Sequence, residues 1–185
     1  MMIMIIVLLS LIGIWAVVVF NRFVRWKNLI KEGWSGIDVQ LKRRHDLVPN
    51  LVRIVREYRG YEEQVLIDIT LARSECLAVS DPVVQVGPEN ALSHGLESLL
   101  AVAENYPQLK AARQFLALQE NLVEIEAQIQ LARRYYNGTV RNYNILIESF
   151  PGLLLAKLIS LRPALYFEIE TATGREPINI KATNV

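Results

Sequence analysis

The sequence predicts an all-α chain: a single N-terminal transmembrane helix followed by an antiparallel four-helix, up-and-down bundle. Three observations carry that expectation. The first twenty of 185 residues hold no charged side chain. Beyond them, apolar residues recur at intervals of three and four, the helical period. Prolines and glycines interrupt the pattern where short connections between amphipathic helices would fall. No stretch before Pro151 alternates with period two for long enough to compete as a strand.

The first element is Met1 to Phe20, in which only Ser10 and Gly13 fall outside the hydrophobic set. Twenty helical residues rise about 30 Å, the thickness of a bilayer's hydrocarbon core. A helix also satisfies every backbone polar group within lipid. Trp26, between Arg25 and Lys27, is placed to anchor at the interface. A cleaved signal peptide fits less well: no basic residue precedes the stretch, and Ala16-Val17-Val18 is a poor cleavage site. Arg22, Arg25, Lys27 and Lys31 follow the span, so the positive-inside rule puts the amino terminus outside and the bulk of the chain in the cytoplasm.

Four stripes define the expected bundle over residues 21–150. Trp26, Ile30, Trp34, Ile37 and Leu41 form the first. Leu47, Leu51, Ile54, Tyr58, Tyr61, Val65 and Ile69 form the second, with Asp46 as its cap and Pro49 in its first turn, where no intrahelical N–H is missed. The competing reading is one continuous helix kinked at Pro49. Ser80 to Pro88, with two prolines and a glycine, reads as a loop. Leu92, Leu96, Leu99 and Ala103 form the third stripe, which Pro107 separates from the fourth. The fourth runs from Gln108 to Phe150 and is closed by Pro151-Gly152. Within residues 151–185, Leu153 to Leu161 is a short apolar segment and Glu168 to Val185 an extended or frayed tail. No stripe covers more than one side, so the helices depend on one another.

Composition narrows the function. Residues 21–59 carry ten Lys/Arg and four Asp/Glu, and residues 60–150 six and twelve. The membrane-proximal part is basic and the rest acidic, while the whole chain carries a net charge of only +1, a poor fit to nucleic acid. One cysteine rules out an internal disulfide framework and any multi-cysteine metal site. A bundle di-iron site needs Glu-x-x-His pairs. Lys42 precedes His45 and Ala91 precedes His94 at that spacing. His45, beside Asp46, reads as a turn residue, His94 as solvated and Cys76 as packing. Phosphate-binding, dinucleotide and nucleophile-elbow motifs are missing. No catalytic, cofactor-binding or metal-binding residue is assigned, and no cofactor is expected.

Two runs stand out. Lys42, Arg43, Arg44, His45, Asp46 and Asn50 lie in a segment dense in polar residues, which reads either as a turn with its own salt bridges or as a docking surface. Tyr136-Asn137 and Tyr143-Asn144 repeat at seven residues, so like residues share a face. Hydrogen bonds from them across the bundle would fix its register.

These residues resemble the LemA family. The similarity is carried by Trp34 to Val52, by Leu99 to Lys110, by Phe115-Leu116-Ala117-Leu118-Gln119, by the two Tyr-Asn pairs and by Phe150-Pro151, spread in order over roughly residues 20–168. Gly33 and Gly36 depart from the small non-glycine residues more usual there. The resemblance implies a bacterial inner-membrane protein with a short external amino terminus, one span and a cytoplasmic bundle. It implies no established catalytic activity. The expected role is therefore a scaffold or adaptor acting by protein–protein or protein–membrane contact; an oligomeric membrane-remodelling protein is the alternative. The expected partners are the lipid bilayer through residues 1–20, an unidentified membrane or cytoplasmic protein, and further copies of the chain.

Overall fold

A computed structural model describes residues 1–57, 63–79 and 82–167. Among these residues there are six helices and no strand: α1 (Met2–Arg56), α2 (Glu63–Ala78), α3 (Pro82–Ala103), α4 (Pro107–Lys110), α5 (Arg113–Glu148) and α6 (Gly152–Leu158). The expected tail from Glu168, together with Tyr58 and Tyr61 of the second stripe, lies outside the described residues.

α1 is 55 residues long, about 80 Å at 1.5 Å per residue. Through Ile14 its large apolar side chains are covered by no other element, and Trp15 packs at the edge of the body. From Val19 onward the same helix becomes amphipathic and enters the core through Phe23, Ile37, Leu41, Val48, Leu51 and Val55. One uninterrupted helix thus joins the apolar stretch to the folded body.

α5 runs antiparallel to α1. Arg44 meets Glu126 near one end of the contact, and Tyr136 lies against Gly33 further along. Phe23 and Ile147 share a cluster at the other end. Gly33 serves the close approach: a Cβ there would stand 3.1 Å from the Tyr136 Cα. α2 and α3 form a second antiparallel pair, in which Gly95 leaves room for Ile69. The core divides into three clusters. One joins α1, α2, α3, α4 and the start of α5; one joins Ile37 and Leu41 to Ile125, Ile129 and Val140; and one joins Val19 and Phe23 to Tyr143, Ile147 and Ala156.

The expected break at Asp46 does not occur: α1 continues through Pro49 to Arg56. Proline has no N–H to give the carbonyl four residues earlier, here that of His45. Arg73 of α2 supplies the missing donor, its Nε reaching the His45 carbonyl at 2.8 Å. Leu47, Leu51 and Ile54 therefore belong to α1, and Val65 and Ile69 to α2. Within the expected loop Ser80 to Pro88, residues 82–88 are instead helical, since α3 begins at Pro82 and passes through Pro88, while Ser80 and Asp81 lie outside the described residues. Early contacts hold that turn: Gln85 and Glu89 are buried, and Val86 packs on the Ile37 cluster. The fourth predicted helix is divided into α4 and α5 at Ala111-Ala112, where Ala112 takes an extended conformation.

Past α5, the chain turns through Phe150-Pro151 into α6. Ser160 adopts a left-handed conformation with φ 53°, and Leu161 N–H bonds the Ala156 carbonyl at 2.9 Å while Ser160 N–H bonds that of Lys157. This pairing of bonds closes a helix and reverses the chain. Residues 161–167 then travel back along α5 without regular secondary structure.

Candidate functional site

Where α1 meets α2, α3 and α5, a set of polar side chains is packed between the first two apolar clusters, with Glu126 at its solvent edge. Arg44 is fully buried. Its Nη1 donates to Ser93 Oγ at 2.9 Å and to Glu126 Oε1 at 2.7 Å, and its Nη2 donates to Glu89 Oε2. Glu89, also fully buried, has its other oxygen 2.8 Å from His45 Nε2. Gln85 Nε2 approaches that oxygen at 3.4 Å, and Ser93 passes its own proton to the Glu89 carbonyl at 3.0 Å. An ionised carboxylate only accepts, so the proton of the His45 bond sits on Nε2.

The electrostatics follow from this packing. Burial opposes the charged form of Glu89, but the hydrogen bond from His45 and the charge of Arg44 outweigh it and hold the carboxyl below its ordinary range. Burial likewise opposes the charge on Arg44, and Glu126 and Glu89 together more than reverse that, leaving the guanidinium above its ordinary value. Removing either partner would strand a charge in the interior, which typically costs about 3–5 kcal/mol.

Cys76 of α2 joins the cluster from the far side. Its Sγ, a ring nitrogen of His45 and a carboxylate oxygen of Glu89 lie within 4.8 Å of one another. A His, Cys and Glu set suits zinc in donor type. His45 Nδ1 has no partner, but the other two donors are not free to bind a cation. Arg44 and His45 occupy both Glu89 oxygens, and burial, with Glu89 close by, pushes the thiol up to about 12, so it keeps its proton near neutrality. What the geometry delivers is a hydrogen-bonded ion cluster that ties four elements together. A cleft of about 320 Å³, walled by Leu96, Leu100, Leu122 and Ile129, ends at this cluster.

The structure divides the polar run on α1. Lys42, Arg43, Asp46 and Asn50 face solvent, Lys42 paired with Asp38 at 2.6 Å and Arg43 bonded to Gln40 at 3.1 Å. Arg44 and His45 point inward and are no part of an exposed surface, and His45 is a mid-helix residue rather than a turn. Glu89, Gln85, Ser93, Arg73 and Glu126 were not legible as site residues. Glu89 and Gln85 fell in or next to the expected loop, and Glu126 had an ordinary surface spacing. The one local signal was Pro49, which leaves the His45 carbonyl without its helical N–H and so requires a donor from elsewhere.

The Tyr-Asn pairs act together, with a different partner from the one expected. Asn144 brackets Ala164, accepting from its N–H at 2.8 Å and donating to its carbonyl at 3.0 Å. Asn137 does the same to Phe167, at 2.9 and 3.0 Å. Tyr143 and Tyr136 donate to the carbonyls of Arg162 and Leu165, at 3.3 and 3.1 Å. The spacing has a simple cause. Seven helical residues rise about 10.5 Å and three extended residues span about 10 Å, so a heptad on α5 matches a three-residue step on the returning segment. Phe167 closes the segment, edge-on to Trp34 at 5.4 Å between ring centroids.

Comparison with known proteins adds kinship to this geometry. The profile of the LemA family matches residues 33–181. Magnetosome protein MamQ 2 of Paramagnetospirillum magneticum is 25% identical to the chain, over 86% of it and 68% of the relative. Magnetosome protein MamQ of Magnetospirillum gryphiswaldense is 23% identical over the same shares. Protein LemA of Metamycoplasma hominis is 26% identical, over 70% of this chain and 57% of its own.

Proposed function

Because the chain belongs to the LemA family, we propose that it is a membrane-anchored helical scaffold or adaptor that works by contact rather than by catalysis. The observation that carries this reading is α1. Its apolar N-terminal part is left bare by the rest of the protein, and its continuation is the central strut of the body. So long a run of bare apolar side chains is not stable in water and calls for lipid. The basic residues Arg22, Arg25, Lys27 and Lys31 support an inner-membrane protein with its body in the cytoplasm. The buried ion cluster serves cohesion of the body in this reading, since its charged groups bond one another across α1, α3 and α5.

The contact face is the outward side of α1 that carries Lys42, Arg43, Asp46 and Asn50. Washing membranes with alkaline carbonate tests the anchor: the protein is expected to stay in the pellet, and release to the soluble fraction overturns it. Protease added outside sealed spheroplasts should leave the body intact. Crosslinking in cells, followed by the double charge reversal Lys42→Glu and Arg43→Glu, tests the face. Loss of the crosslinked species with unchanged helicity is the expected result, and retained crosslinking removes that surface from the proposal.

A further inference from the structure

α5 ends beside the point where α1 leaves the body. Ile147 packs with Val19 and Phe23, and the chain then turns into α6, whose Ala156 is buried against the same two residues. Leu155 and Trp15 complete the contact. α6 therefore lies alongside residues 15–23 of α1, the level at which the uncharged stretch gives way to Arg22 and Arg25. Its Gly152 and Ala156 face inward one turn apart. Leu154 and Leu158, one turn apart on α6, face outward with 59% and 80% of their surface exposed, and Phe150 in the turn before it is 80% exposed. Three large apolar groups on one short turn and helix make an unusual water-facing surface. The charged residues nearest them in the chain are Lys157 and Arg162 against Glu148, and the stretch of α1 that shares a cluster with α6 carries Arg22 and Arg25.

We propose that α6 is a second membrane contact. It rests in the leaflet through which α1 leaves the bilayer, with Phe150, Leu154 and Leu158 among the acyl chains and the bordering cations among anionic phospholipid headgroups. This rests on reading residues 1–20 as the span. The depth is consistent: positions level with residues 15–20 lie up to about 7 Å inside the span's end, within the 5–10 Å by which interfacial helices sink. A groove of about 530 Å³ between α1 and the end of α5 is lined by Arg22 and Arg25 together with Trp26, Leu29, Ile145 and Leu146. That combination suits a phosphate headgroup with the first methylenes of its chains.

The test uses the full chain in phosphatidylglycerol–phosphatidylethanolamine liposomes, carrying Cys76→Ala and one introduced cysteine bearing an environment-sensitive dye. The positions are Leu158→Cys on α6, Val7→Cys in the span and Leu131→Cys on the exposed face of α5. The label at 158 is expected to be quenched by nitroxide-bearing lipid and to be roughly tenfold less sensitive to aqueous iodide than the label at 131. Adding Leu154→Asp should leave the protein carbonate-resistant yet raise iodide quenching at 158 about threefold, because a buried charge opposes insertion. Iodide sensitivity at 158 equal to that at 131, with the label at 7 still quenched from lipid, overturns the α6 contact alone. Water access at both 7 and 158 overturns the span itself. Iodide protection at 158 without lipid quenching, accompanied by 158–158 crosslinks, assigns the stripe to a second copy and also overturns the proposal.

Discussion

Pro49 and Arg73 show how a residue's role is set by a partner remote in sequence. A proline inside a helix leaves a carbonyl unanswered, and in a buried stretch that omission costs about 1–3 kcal/mol unless another donor arrives. Arg73 is that donor. Arg73→Ala should therefore destabilise the protein markedly in the native background and much less beside Pro49→Ala, where residue 49 regains its own N–H. A coupling energy of about 1 kcal/mol or more in urea unfolding is expected, and additivity of the two changes would refute the replacement. Glu89 yields a pH prediction. Its carboxyl is held down in the folded state, so the stability it contributes is present above about pH 4.3, its unfolded value, and is lost as pH falls through the folded one. Thermal melts of Glu89→Gln should be lower than those of the native chain at pH 7 and should lose less between pH 5 and 3. The inward placement of Arg44 and His45 was hidden from a local reading for the same reason. Their neighbours in sequence are polar, and only Glu89 and Glu126, 45 and 82 positions away from Arg44, make burial tolerable.

At the level of elements, apolar periodicity was a dependable guide, and punctuation held at Pro107 and Pro151 but not at Pro49 and Pro88. The stripes through Ile37 and Leu41, through Leu92 to Ala103, and through Phe115 to Ile147 all line the core. Pro49 and Pro88 misled because helix propensity is weak beside tertiary packing, and both prolines lie on helices held by buried neighbours. The heptad of Tyr-Asn pairs was visible, but its partner was not, since residues 161–167 have no periodic pattern of their own. Their attachment makes a sharp prediction for hydrogen exchange. Asn144→Ala should accelerate exchange of the Ala164 amide, by about tenfold per 1.4 kcal/mol lost, and affect the Phe167 amide less. Asn137→Ala should reverse that order. Equal acceleration at both amides in either variant would show that the segment detaches as one piece.

For the molecule as a whole, the decisive property is that α1 has no joint between its bare apolar part and the body, and that α5 is clamped along it. Isotope-edited infrared dichroism of oriented bilayers, with labelled amides at Val7 and Leu131, should report tilts that change together as bilayer thickness is varied; independent tilts would reveal a hinge. Such a rod is a lever. From Phe20 to Arg56 it measures about 54 Å, so leaning by the 20° common among spanning helices swings its far end sideways by about 18 Å. A few ångströms of local thinning in the lipid would in this way be amplified into a change of reach several times larger at the opposite tip.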